Sequence, residues 1–154
     1  MVDAVGAAIG PDRVGVRLSP FGQFGGISDS DPRRLFSYVI AQLSQRRIAY
    51  LHLIEALGSE IGLSDDLHAG AVNNAALFRS HFNGPLISAA AYTPERAAET
   101  VDEGRADAIA FGRLFIANPD LPERIRRNAP LNPPVRATFY GGDAKGYTDY
   151  PTLP

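Results

Sequence analysis

Cysteine is absent from the 154 residues, which excludes disulfides, thiol catalysis and cysteine-ligated metals and suits a reducing compartment. Clustered positive charge is missing too. Arg33-Arg34, Arg46-Arg47 and Arg126-Arg127 are isolated pairs in a chain of formal net charge −2 and pI near 5.9. A nucleic-acid partner requires a basic face, so none is expected. No apolar run approaches the roughly 20 residues of a membrane helix, and no membrane association is expected. The first ten residues are short, mixed and carry Asp3 where a secretion signal would be basic, so a cytoplasmic location is expected. What is present is ordinary globular material. Hydrophobic residues make up 45% and charged residues 21%, enough for one domain with a real core.

Short apolar runs alternate with helical patterns. Arg13 to Leu18 reads as a strand ending in Ser19-Pro20, followed by a glycine-rich loop over 21–26. Asp31 is placed to cap a helix with Pro32 at its first position, and Leu35, Val39, Ile40 and Leu43 form its apolar stripe. Tyr50 to Ile54 is the second strand. A polar loop over 55–70 leads to a second helix ending near Phe82, and Pro85 to Ser88 is the third strand. Thr93-Pro94-Glu95 opens a third helix that Gly104 stops. Asp107 to Phe111 is the fourth strand, with helical stretches after Gly112-Arg113 and over Leu121 to Asn128. This β-α-β-α-β-α-β-α order predicts an α/β fold with a parallel sheet. It describes a single partial domain over 1–154: four βα units over 1–128 and an irregular, proline- and glycine-rich tail over 129–154. Periodicity alone leaves open whether the sheet is doubly wound or part of a closed barrel.

Ligands of parallel α/β folds bind at the C-terminal strand ends. There the first strand offers Arg17. The third offers the small run Ser88, Ala89, Ala90 and Ala91. The fourth offers Gly112-Arg113 at a helix start, where backbone N–H groups, the helix dipole and a guanidinium suit a phosphate. Each has a plain alternative: Arg17 in a structural ion pair, the alanines in tight packing, Gly-Arg as a common turn. Of the histidines, His52 reads as a hydrogen-bonded core residue, and His68 and His81 as exposed; their spacing suggests no metal site. Asp65-Asp66 and Glu99, Asp102 and Glu103 read as solvated surface, and Tyr147 and Tyr150 as packing anchors for the tail.

Four segments carry a resemblance: VGVRLSPFGQF (14–24), YLHLIE (50–55), DAIAFGRLFIANPDLPERI (107–125) and FYGGDAKGYTDYPTL (139–153). Together they resemble the C-terminal half of the Old Yellow Enzyme family, near its N-ethylmaleimide reductase branch. The resemblance implies strands 5–8 of a (β/α)8 TIM barrel with outer helices. It also implies FMN as cofactor, NAD(P)H as reductant and hydride transfer to activated alkenes. On the matched positions, Arg17 resembles the arginine beside the flavin pyrimidine edge, and Gly112 and Arg113 the phosphate-binding pair. Ala90 and Ala91 match the other phosphate loop, and Phe139 the aromatic beside the dimethylbenzene edge. Phe24 and Tyr140 match residues lining the substrate side.

Two departures accompany the resemblance. Ala90 stands where the family's AGxY-like string has glycine, so a methyl group meets either the phosphate or an unfavourable backbone angle. The family's substrate-binding His/Asn or His/His pair and its proton-donor tyrosine are not in these residues, so no catalytic residue is assigned. The expected protein is therefore the C-terminal part of an FMN-dependent oxidoreductase, inactive without an N-terminal half. It would pair with a separate half-barrel chain or self-associate; the alternative is a non-catalytic FMN- or phosphate-binding half-barrel, or a truncated, self-associating product.

Overall fold

The computed structural model describes residues 1–22, 26–55, 73–90 and 92–154; Phe24, Asp65, Asp66, His68 and Ala91 lie outside them. Two compact units result, Met1–Ala110 and Phe111–Pro154. In the first, β1 (Gly15–Leu18), β2 (Tyr50–Ile54), β3 (Leu86–Ala89) and β4 (Ala108–Ala110) form one parallel sheet in the order β1-β2-β3-β4. Sequential neighbours all pair in parallel, so each connection must cross back over one face of the sheet. The helices supplied by the sequence do this: α2 (Pro32–Gln45), α3 (Asn74–Phe78) and α4 (Pro94–Asp102).

Side chains alternate across a strand, and here the alternation separates two chemistries. Leu51, Leu53 and Leu86 are fully buried, with Val16, Leu18 and Ile109 partly so, against Ile40 and Leu43 of α2 and Ala75 and Phe78 of α3. The opposite face carries Gly15, Arg17, Tyr50, His52, Ile54, Ile87, Ala108 and Ala110, each exposed or half-buried. In a closed barrel that second face is the interior. The outer edges of β1 and β4 have no strand partner among the described residues.

The helix starts follow local chemistry. The Asp31 carboxylate accepts from the Arg34 N–H at 3.1 Å, and Pro32 sits at the first helical position. The Thr93 hydroxyl accepts from the Arg96 N–H at 3.3 Å. After α4 the chain turns through Gly104 at φ +68°, a conformation glycine adopts without steric cost. The apolar stripe of α2 differs from expectation at one position. Leu35 is 41% exposed, while Phe36, one residue on, packs against the core and meets the Phe78 ring at 6.5 Å. A further helix, α1 (Val2–Ile9), precedes the first strand. No helix is expected there from the sequence; none of its residues is buried, although Val2 packs against the core. An Asp3–Arg46 ion pair of 2.7 Å ties α1 to the end of α2.

The second unit holds α5 (Arg113–Ala117), α6 (Leu121–Arg126) and a tail whose only helical element is a 3-10 turn, Arg136–Thr138. Polar side chains fasten this tail. Buried Asn118 donates to the Leu114 and Asn132 carbonyls and accepts from the Asn132 N–H at 2.7 Å. Asn132 in turn donates to the Ala117 and Pro151 carbonyls. Arg124, buried, donates to Asp120 and to the Pro130 and Pro151 carbonyls, each at 2.7 Å. Asp120 also accepts from the Leu153 N–H at 2.7 Å. Tyr150 is an anchor as expected, its hydroxyl accepting from the Val135 N–H at 2.9 Å. Tyr147 is not; it is 54% exposed. No described helix is long and apolar enough to cross a membrane.

Candidate functional site

The C-terminal end of the sheet gathers the first unit's candidates. Arg17 is the third residue of β1 and pairs in register with His52 of β2, which pairs with Ile87 of β3. All three lie on the open face. Arg17 is exposed, and its side chain makes no hydrogen bond or ion pair among the described residues; its positive charge acts on His52 beside it. His52 departs from expectation: its Nε2 is buried without a hydrogen-bond partner. Burial first, and the Arg17 charge second, hold its imidazole below the ordinary histidine value. Both causes disfavour adding a second positive charge beside Arg17.

This has a consequence for pH dependence. The folded chain resists protonating His52, whereas the unfolded chain takes the proton near the ordinary value of 6.5. Between the depressed folded value and 6.5 the unfolded state binds more protons, so His52 favours folding above about 6.5 and loses that contribution as pH falls below it. Urea unfolding at pH 5 and pH 7.5 is expected to show lower stability at the acid end. His52→Gln is expected to flatten this difference, and an equally steep dependence in that variant would assign it to other groups.

Just beyond β2 and β3 lies a polar cluster that sequence reading missed. Glu55, the first residue after β2, is buried. Its carboxylate accepts from the Asn74 N–H at 2.6 Å and the Ala75 N–H at 3.1 Å, at the start of α3. It also accepts from the Ser88 hydroxyl at 2.6 Å and the Tyr92 hydroxyl at 3.4 Å. The single Tyr92 proton is shared with Ser88 Oγ, the nearer acceptor at 3.0 Å. Burial pushes the Tyr92 phenol up, opposed by its Ser88 bond, so it stays a donor. The Asn74 amide donates to the Pro20 and Ile54 carbonyls. The available signal was a carboxylate closing an apolar strand, but its partners are 19 to 37 residues away in sequence.

Between Ser88 and Tyr92 stands Ala90, at φ +85°. Ala90 therefore places a side chain in the left-handed region, which disfavours a Cβ.

In the second unit, Gly112 caps α5 and a Cβ added to it would meet nothing within 4 Å. The space beside its backbone is open, as a phosphate contact requires. Arg113, half-buried, is the first residue of α5. With only five residues, α5 contributes little dipole. Phe139 and Tyr140 pack edge to face at 6.4 Å, Phe139 half-buried and Tyr140 exposed. Gly141 and Gly142 follow at φ +109° and +98°.

Comparison with known proteins matches residues 1–132 to the NADH:flavin oxidoreductase / NADH oxidase family. 12-oxophytodienoate reductase 2 of Arabidopsis thaliana is 44% identical over 154 residues, covering 99% of this chain and 40% of its own length. Among solved structures, morphinone reductase superposes with a TM-score of 0.85 at 44% identity, covering 99% of this chain and 39% of that one. It has also been solved in complex with tetrahydroNAD. The Old Yellow Enzyme homologue of Zymomonas mobilis gives 0.86 at 41% identity, covering 99% and 42%. The chain thus spans about 40% of the length of the curated relatives it matches, and its four parallel strands form part of a (β/α)8 barrel. This chain belongs to the NADH:flavin oxidoreductase / NADH oxidase family, of the Old Yellow Enzyme type.

Proposed function

We propose that this chain supplies strands five to eight of an FMN-dependent ene-reductase barrel and carries the flavin's phosphate and part of its ring contacts. The observation that carries this reading is Arg17: an exposed guanidinium without a protein partner among the described residues, on the open face at the ligand end of the sheet. A permanent charge so placed favours an anionic group lying on that face. Open space at Gly112 and the adjoining Arg113 suit the phosphate, and Phe139 offers an aromatic surface to the ring. The residues present therefore fit FMN.

When bound, FMN supplies hydride transfer from NAD(P)H to the β-carbon of an electron-poor alkene. Arg17 contributes fixed positive charge, and the depressed basicity of His52 keeps a second charge from competing beside it. In the second unit, Arg113 and the backbone at Gly112 suit the phosphate; Ala90 and Ala91 match the family's other phosphate loop by resemblance. By resemblance, Tyr140 and Phe24 are assigned to the substrate side. The substrate-orienting and proton-donating groups come from the barrel's remaining strands; two copies of this chain pairing at the β1 and β4 edges would lack them and hold flavin without turnover. The chain alone binds flavin without turnover, in a cytoplasmic setting.

Titration with FMN and with riboflavin, followed by flavin fluorescence, tests the phosphate assignment. Arg113→Ala is expected to weaken FMN binding by roughly ten-fold or more, the scale of a charge-assisted hydrogen bond, and to leave riboflavin binding unchanged. An equal loss for both flavins, or no loss for either, would remove Arg113 from the phosphate site.

A further inference from the structure

The turn after β3 is held in a conformation its own sequence resists, and the restraint is visible. The Ala89 carbonyl accepts from the Glu55 N–H at 2.9 Å. On the near side of the turn, the Ser88 hydroxyl donates to Glu55 at 2.6 Å. On the far side, the Tyr92 hydroxyl closes back onto Ser88 at 3.0 Å and Glu55 at 3.4 Å. Glu55, Ser88 and Tyr92 are all buried, so water does not compete for these bonds. Both flanks of Ala90 are thus tied to one carboxylate. The residue between them sits at φ +85°, although an isolated alanine strongly prefers negative φ.

We propose that Glu55, Ser88 and Tyr92 act as a clamp that imposes the left-handed conformation on Ala90, so that the turn after β3 presents its backbone to a phosphate-bearing ligand. The ligand's identity rests on the FMN reading above; the clamp itself does not. Glu55, Ser88 and Tyr92 are positioning residues that act through the turn without touching the ligand. The clamp also accounts for how alanine is accepted at a glycine position. The bonds across the turn offset the strain of the Cβ, whereas with glycine there is no strain to offset.

This makes a coupling prediction that loss of simple packing would not produce. In the chain without ligand, Ala90→Gly relieves the strain and is expected to raise the unfolding midpoint by about 3 °C. In the Tyr92→Phe background the turn is free to relax, and Ala90→Gly is expected to give less than half that rise. Ser88→Ala is a parallel background that keeps the tyrosine ring, should Tyr92→Phe fold poorly. The same rise in clamped and unclamped backgrounds would overturn the proposal.

A second readout uses FMN and riboflavin as probes. Tyr92→Phe is expected to weaken FMN by several-fold without changing riboflavin, with most of the loss recovered in the Tyr92→Phe/Ala90→Gly chain. Parallel loss of both flavins would contradict a role at the phosphate. If the unaltered chain binds no FMN, the FMN reading fails while the ligand-free coupling still decides whether the clamp exists.

Discussion

Glu55→Ala is expected to lower the stability of the chain by about 3–5 kcal/mol, a large part of the margin typical of a small domain. The buried carboxylate accepts four hydrogen bonds, from the Asn74 and Ala75 N–H groups and the Ser88 and Tyr92 hydroxyls. Removing it leaves two backbone donors at the start of α3 unsatisfied, each costing about 1–3 kcal/mol. It also leaves two hydroxyls without their shared acceptor. Glu55→Gln is expected to fall between the two. One amide oxygen still accepts from Ser88 and Ala75, but the new NH2 group faces the Asn74 N–H, donor against donor. Urea unfolding of the three chains checks the order Glu, Gln, Ala. An alanine variant as stable as the parent would mean that the network is solvated and does not hold the end of the sheet together.

Arg124→Ala is the second large effect. Its guanidinium joins Asp120 to two carbonyls of the tail, Pro130 and Pro151. The fork geometry of arginine serves all three at once, which an ammonium does less well. Loss of the side chain is expected to cost roughly 2–3 kcal/mol, the scale of hydrogen bonds to a charged group. The cost falls on the tail, which has no helix or strand to hold it beyond one 3-10 turn. Limited proteolysis is therefore the sensitive measurement. Cleavage after residue 130 is expected to accelerate strongly in Arg124→Ala and moderately in Arg124→Lys, with the first unit unaffected. A tail equally resistant in all three chains would show that Asn118 and Asn132 suffice.

These two residues also mark what was legible in the sequence. The strands and the capped starts of α2 and α4 follow from local chemistry: alternating apolar runs, and Asp31 or Thr93 followed by proline. So does the parallel α/β class, because the order of elements allows few other arrangements. The sequence did not disclose contacts made by register. Glu55 reads as the first residue of a loop, and only the pairing of β2 with β3 brings it to Ser88 and Tyr92. His52 reads as core because its strand is apolar. The alternation within that strand puts it on the open face, where Arg17 is its neighbour. Leu35 and Phe36 are adjacent, equally apolar candidates for the α2 stripe, and the helix phase that decides between them is set by Phe78 across the interface. The string ANPDLPER, distinctive by sequence, is structural to a large extent: Asn118, Asp120 and Arg124 spend their polar atoms on the tail. The unusual Ala90 was legible as a departure, but its physical meaning required the backbone angle.

Under the proposed function, this chain by itself forms a flavin-binding surface. Size-exclusion chromatography of the purified chain with FMN, recording protein and flavin absorbance together, tests it most directly. Flavin is expected to travel with a peak of defined size, and the flavin signal in that peak to be weaker when riboflavin replaces FMN. A folded chain that elutes free of flavin, with all FMN in the small-molecule fraction, would contradict it.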